Sequence, residues 1–136
     1  MAPEARREHP VVVRVLLVDD DVHVLRAMAR VLKSHGLTPT LAVSAAAATA
    51  AAAVERFDLV LCDLALGGES GLALLDAMRA RGDQTPFVLI TGYAGDERAD
   101  AAQDPRIAAV MLKPFDASAL GRVLRDLLNT TPRNLS

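Results

Sequence analysis

The chain has one cysteine, almost no net charge and no apolar run long enough to cross a membrane. The lone Cys62 excludes an internal disulfide and fits a reduced, cytoplasmic location. Placed inside an apolar run, it reads as a small buried hydrophobe. The 15 basic and 17 acidic residues leave a formal charge of −2, which gives neither nucleic acid nor an anionic membrane surface an electrostatic footing. The expected partners are therefore proteins or small anions. Residues 1–10 mix charges of both signs, and the apolar stretch at 11–18 is short and broken by Arg14, so neither a signal peptide nor a membrane span is expected. No cysteine and histidine cluster, Walker loop or serine triad occurs. What is present is a chain of 136 residues, 51% hydrophobic, long enough for one domain with a real core.

That chain is organised around residues 57–71, where an apolar run of Leu, Val and Cys ends at Asp63 and opens into a loop holding Gly67, Gly68 and Gly71. A continuous apolar run without polar alternation predicts a strand covered on both faces, as in the middle of a parallel α/β sheet. In such sheets the ligand crevice lies beyond the carboxyl ends of the strands, which is where Asp63 stands. Taken alone, Asp63 reads equally as a solvated acid at a strand end.

The rest of the chain alternates strand and helix. Residues 11–18 are rich in β-branched side chains and predict a first strand, followed directly by Asp19, Asp20 and Asp21. Val24, Leu25, Met28, Val31 and Leu32 recur at helical spacing, predicting a helix over 21–35 stopped by Gly36. Residues 37–43 predict a second strand, placed at an edge because Pro39 has no N–H for a ladder. Ser44 is the expected cap of an alanine-dominated second helix over 45–55. Leu72, Leu75 and Met78 mark a third helix ending at Gly82, and 86–90 is the fourth strand, with Thr91 at its end. A fourth helix over 96–103 has only alanines as apolar residues and is expected to be the least firmly held. Residues 107–112 predict a fifth strand ending at Lys113 and Pro114. Asp116 then caps a last helix with Leu120, Val123, Leu124 and Leu127 on one face.

Right-handed crossovers convert this order into an α/β fold of flavodoxin-like type: a doubly wound, five-stranded parallel sheet in the order 2-1-3-4-5 with five helices. Strands one and three are then neighbours at the switch point, so Asp19, Asp20 and Asp63 converge, with Thr91 and Lys113 brought to the rim. Three close carboxylates repel one another and call for a cation. An all-oxygen site with water access suits Mg²⁺. In phosphoryl transfer Asp63 would be the nucleophile, Mg²⁺ and Lys113 would balance charge, and the Thr91 hydroxyl would donate to a phosphoryl oxygen.

Leu17-Val18-Asp19-Asp20, Asp63 before a glycine-containing loop, Thr91 and Lys113-Pro114-Phe115 together resemble the receiver domain of two-component response regulators. The resemblance covers about residues 13–128 and sets the expected boundaries: a mobile tail at 1–10, the receiver domain at 11–129 and a frayed tail at 130–136. It implies that Asp63 takes a phosphoryl group from a phosphohistidine on a sensor histidine kinase or a histidine phosphotransfer protein. It also implies that Asp19, Asp20, Asp63 and the backbone carbonyl of Ala65 hold Mg²⁺, and that Lys113–Pro114 is a cis peptide. The implied role is that of a single-domain response regulator or relay intermediate in the cytoplasm, not a turnover enzyme. Such a module signals to a separate protein target, or to a second copy of itself, through the face of helix four, strand five and helix five. Direct nucleic-acid binding is not implied.

Two positions, 110 and 67, depart from the family pattern. Val110 stands where an aromatic usually turns inward with the threonine, so the usual aromatic switch has no side chain to work with. Tyr93, in the loop after Thr91, is a substitute mobile group or a rim residue, and together with Ala65 it suggests slow self-dephosphorylation. Gly67 replaces a common proline, which predicts a less rigid loop. Two rival readings carry other functions. A small Mg²⁺-dependent aspartyl-phosphate phosphatase of haloacid dehalogenase type also uses Asp, Thr and Lys, but it places its nucleophile after the first strand and needs another acidic pair after the lysine. A receiver-like binding module working without phosphate is the other.

Overall fold

The computed structural model describes residues 12–92, 100 and 102–129. Five parallel strands form the central sheet: β1 (Arg14–Val18), β2 (Thr38–Ala42), β3 (Leu59–Asp63), β6 (Phe87–Thr91) and β7 (Ala109–Leu112). Their spatial order is β2-β1-β3-β6-β7. The numbering departs from the expected 2-1-3-4-5 because two further strands, β4 (Ala65–Leu66) and β5 (Glu69–Ser70), pair antiparallel as a hairpin outside the main sheet. Four helices stand among the described residues: α1 (Val22–Ser34), α2 (Ala45–Val54), α3 (Gly71–Ala80) and α4 (Ala117–Asn129). Of the expected five, the fourth helix, predicted over 96–103, falls mostly outside the described residues, and residues 100, 102 and 103 of that stretch are helical. The two predicted tails, 1–10 and 130–136, lie outside them as well.

Side chains alternate across the strands and divide the core into two layers. Leu16, Val18, Val60, Cys62, Phe87 and Leu89 face α2 and α3, while Val15, Leu17, Leu59, Leu61, Val88 and Ile90 face α1 and α4. β3 and β6 are buried along their whole length, which is what their uninterrupted apolar sequences dictate. α1 buries Leu25, Met28, Ala29 and Leu32, and α4 buries Leu120 and Leu124. At roughly 1.5–3 kcal/mol for each fully buried leucine-sized side chain, these stripes clamp both helices to one face. α2 contributes only Ala45, Ala48 and Ala52 to the other layer.

The helices begin where side-chain oxygens can take up free amides. Ser44 accepts from Ala47 N at 3.0 Å, and Asp116 accepts from Ala119 N at 2.8 Å. Asp21 accepts from the amides of His23 and Val24 and so starts α1. β2 is an edge strand, as Pro39 requires. β7 begins two residues later than predicted, because Asp104 and Arg106 close a turn just before it, with Arg106 N donating to Asp104 Oδ1 at 2.9 Å.

Candidate functional site

Strand register assembles the site. Val18 pairs with Cys62, so Asp19 and Asp63 each stand one residue beyond a matched pair on neighbouring parallel strands. Thr91 pairs with Leu112, which brings Thr91 and Lys113 to the same end of the sheet. There Lys113 N donates to Thr91 O at 2.8 Å, and the Lys113–Pro114 peptide is cis.

Oxygens of Asp19, Asp20 and Asp63 lie within 4.8 Å of one another. Asp19 and Asp63 are buried, at 1% and 7% exposure, whereas Asp20 opens to solvent. The Lys113 ammonium donates to Asp63 Oδ2 at 2.6 Å and to Asp19 Oδ2 at 3.2 Å. The second oxygens are held by backbone: Asp63 Oδ1 accepts from Ala65 N at 3.1 Å, and Asp19 Oδ1 accepts from Asp21 N at 2.9 Å. One ammonium thus bonds within a group of three carboxylates.

The electrostatics follow from this geometry. Burial pushes the Asp19 carboxyl above its ordinary range, and the Asp63 charge adds to the shift, against the opposing pull of the Asp21 amide and Lys113. Burial also works against the Lys113 charge. The hydrogen bond that Lys113 donates to Asp63 and the charges of Asp63 and Asp19 outweigh it and hold the ammonium above the usual lysine value. Burial, with the Asp63 and Asp19 charges behind it, pushes the Cys62 thiol far up, so this cysteine is an inert core residue.

Asp21 takes no part in the cluster, because its carboxylate is the cap of α1. Thr91 is completely buried, deeper than the rim position expected for it. Val110 is half-buried and packs against the layer under α2 and α3. Tyr93 lies outside the described residues. A groove of about 420 Å³ opens beside Lys113, lined by Val24, Met28, Val31, Pro114 and Phe115.

Two features of the Asp63 loop were not read from the sequence. The loop is a closed hairpin: Gly67 and Gly68 have φ of +57° and +98°, as a two-residue type I′ turn requires. The Gly67-Gly68 pair was the signal for it. Gly71, which opens α3, packs flush against the end of β3. A Cβ there would lie 2.9 Å from Cys62 Sγ and closer still to the Asp63 carbonyl oxygen.

The donor set is all oxygen, carries more negative charge than Lys113 balances and has one solvent-open member, which fits a hard divalent cation such as Mg²⁺.

Residues 15–125 match the response regulator receiver domain family, and the chain belongs to it. It is 35% identical over 103 residues to the acid tolerance regulatory protein ActR of Sinorhizobium medicae, covering 76% of this chain and 53% of that protein. It is 36% identical over 107 residues to the response regulator protein FleR of Pseudomonas aeruginosa, covering 79% of this chain and 23% of that protein. The chain therefore spans about half, or less, of the length of these relatives. Among solved structures it is similar to a CheY-like response regulator receiver domain protein from Methanospirillum hungatei. The two share 28% identity and a TM-score of 0.79 over 88% of this chain and 95% of that one. The family assigns a signalling role in a two-component system, which sets the haloacid dehalogenase reading aside. No helix among the described residues is long and apolar enough to cross a membrane.

Proposed function

We propose that Asp63 is the phosphoacceptor of this receiver domain, taking its phosphoryl group from a phosphohistidine of a sensor histidine kinase or a histidine phosphotransfer protein in the cytoplasm. A carboxylate oxygen of Asp63 attacks phosphorus in line, the P–N bond to the imidazole breaks, and its electron pair stays on the ring nitrogen. Asp63 becomes an acyl phosphate. Lys113, already 2.6 Å from Asp63 Oδ2, balances the charge that develops on the phosphoryl oxygens. The Thr91 hydroxyl donates to one of those oxygens. Asp19, Asp20, Asp63 and the Ala65 carbonyl hold Mg²⁺, which when bound supplies further positive charge beside the phosphoryl group.

The observation that carries this reading is the placement of Asp63: buried, held at one oxygen by Ala65 N and at the other by Lys113, and within one cluster with Asp19 and Asp20. The groove beside Lys113 offers an apolar seat for a phosphodonor next to the acceptor. For output, the face of β7 and α4, with the predicted fourth helix, meets a target protein or a second copy of the chain. A groove of about 540 Å³ lined by Met111, Leu112, Phe115, Ala119 and Val123 supports this. Direct nucleic-acid contact plays no part. Incubation with Mg²⁺ and a small phosphodonor, followed by intact mass, should add one phosphoryl group to the wild type and none to Asp63→Asn. Steady phosphate release from unrelated phosphomonoesters without an adduct would refute it.

A further inference from the structure

The turn of the β4–β5 hairpin lies against the acidic cluster. A Cβ built on Gly67 would sit 3.3 Å from Asp20 Oδ2 and 4.0 Å from Asp20 Cβ, whereas one built on Gly68 would meet nothing within 4 Å. The two glycines share one two-residue turn and both have positive φ, so both carry the same kind of backbone demand. Only Gly67 faces a carboxylate.

Asp19 and Asp63 are fixed on both oxygens by the hydrogen bonds already described. Asp20 is the exposed member of the three. What stands beside its carboxylate is the bare Cα of Gly67. A side chain at 67 would press on Oδ2, and since Asp20 is exposed the carboxylate would yield by turning from the position it holds in the cluster.

We infer that Gly67 is a positioning residue for the cation site: the absence of a side chain there lets Asp20 keep its carboxylate within reach of Asp19 and Asp63. This rests on the reading of the cluster as a Mg²⁺ site. The position is also closed to proline, whose ring holds φ near −65°, the opposite sign from the +57° found. The glycine is therefore a different solution for this loop and not a softened version of the proline-bearing one.

Two measurements test the inference, and the first needs no metal. In metal-free thermal unfolding, Gly67→Ala and Gly68→Ala should both lower the midpoint. Combining each with Asp20→Ala should relieve part of the loss for Gly67→Ala and none for Gly68→Ala. The second is titration of the unphosphorylated variants with Mg²⁺ alone, followed by amide chemical shifts at Asp20 and Asp63. Gly67→Ala should weaken binding about tenfold, the scale seen when a group that orients a ligand is altered, and Gly68→Ala should bind like wild type. Equal coupling of the two glycines to Asp20, or equal Mg²⁺ affinity for the two variants, would overturn the inference. Wild-type protein that ignores Mg²⁺ would instead overturn the metal reading, and the inference with it, even with the Gly67–Asp20 coupling intact.

Discussion

Lys113 Nζ lies 2.6 Å from Asp63 Oδ2 and 3.2 Å from Asp19 Oδ2, so one ammonium from the end of β7 ties together the ends of β3 and β1. Each carboxylate has its second oxygen held by one backbone amide, and the two share this single counter-charge. Any group added to Asp63 changes what Lys113 can do for Asp19.

Lys113→Met leaves two buried carboxylates facing each other. Removing one partner of a fully buried pair costs 3–5 kcal/mol, and with the Lys113 side chain 31% exposed the expected loss at neutral pH is about 2 kcal/mol. The sign with pH is set by the raised lysine value. The stabilisation is fully present below the ordinary value of 10.5 and is lost as pH rises through the higher value of the folded protein. Urea unfolding of wild type and variant from neutral to alkaline pH should show the gap closing at the alkaline end.

Asp20→Asn should act in the opposite direction when no divalent cation is present. It removes one of three mutually repelling carboxylates, and the exposed one, so metal-free stability should rise by about 1 kcal/mol and less at high salt. Millimolar Mg²⁺ should stabilise the wild type by mass action and leave this variant nearly unchanged. Thermal unfolding with Mg²⁺ and with a chelator checks both.

Gly71→Ala should be costly. The new methyl group would meet backbone at Asp63 and the sulfur of Cys62, neither of which can rotate away as an exposed side chain does. Overpacking of this kind costs about 1–3 kcal/mol, and here it would displace the strand end that carries Asp63. Denaturant unfolding gives the stability, and the rate of phosphorylation by a small donor gives the effect on the site.

Arg79 anchors the opposite end of the sheet. Its guanidinium donates to the carbonyls of Asp83 at 2.7 Å, Thr85 at 3.0 Å and Arg106 at 3.3 Å, tying α3 to the turns before β6 and β7. Arg79→Ala should cost about 1–3 kcal/mol, and Arg79→Lys should recover little of it, because an ammonium cannot span three carbonyls with a planar fork. Chemical unfolding separates the two, and Mg²⁺ affinity should stay at the wild-type level.

Much of this architecture was legible because burial on both faces leaves an unbroken apolar sequence. β3 and β6 announce themselves in that way, Pro39 places β2 at the edge, and Ser44 and Asp116 cap the helices predicted for them. Asp19, Asp63 and Lys113 meet as topology requires. What escaped notice depends on distances that sequence does not encode. Strands of two residues, such as β4 and β5, are too short for a period to show. Asp19, Asp20 and Asp21 look alike in sequence, and only the start of α1 at Val22 makes Asp21 a cap. The predicted stripe of α3 named Leu72, which is half-buried against the core, but missed Leu74, which a helix starting at Gly71 buries completely. The depth of Thr91 likewise follows from the sheet around it.

The most direct test of the central claim is to phosphorylate the protein with Mg²⁺ and a small donor, reduce it with borohydride and sequence the peptides by mass. An acyl phosphate is reduced to the alcohol, so an aspartate that carried one is recovered as homoserine. Homoserine is expected at position 63 alone. Homoserine at position 19 or 20, or a phosphoryl group recovered from a hydroxyl or imidazole side chain, would contradict it.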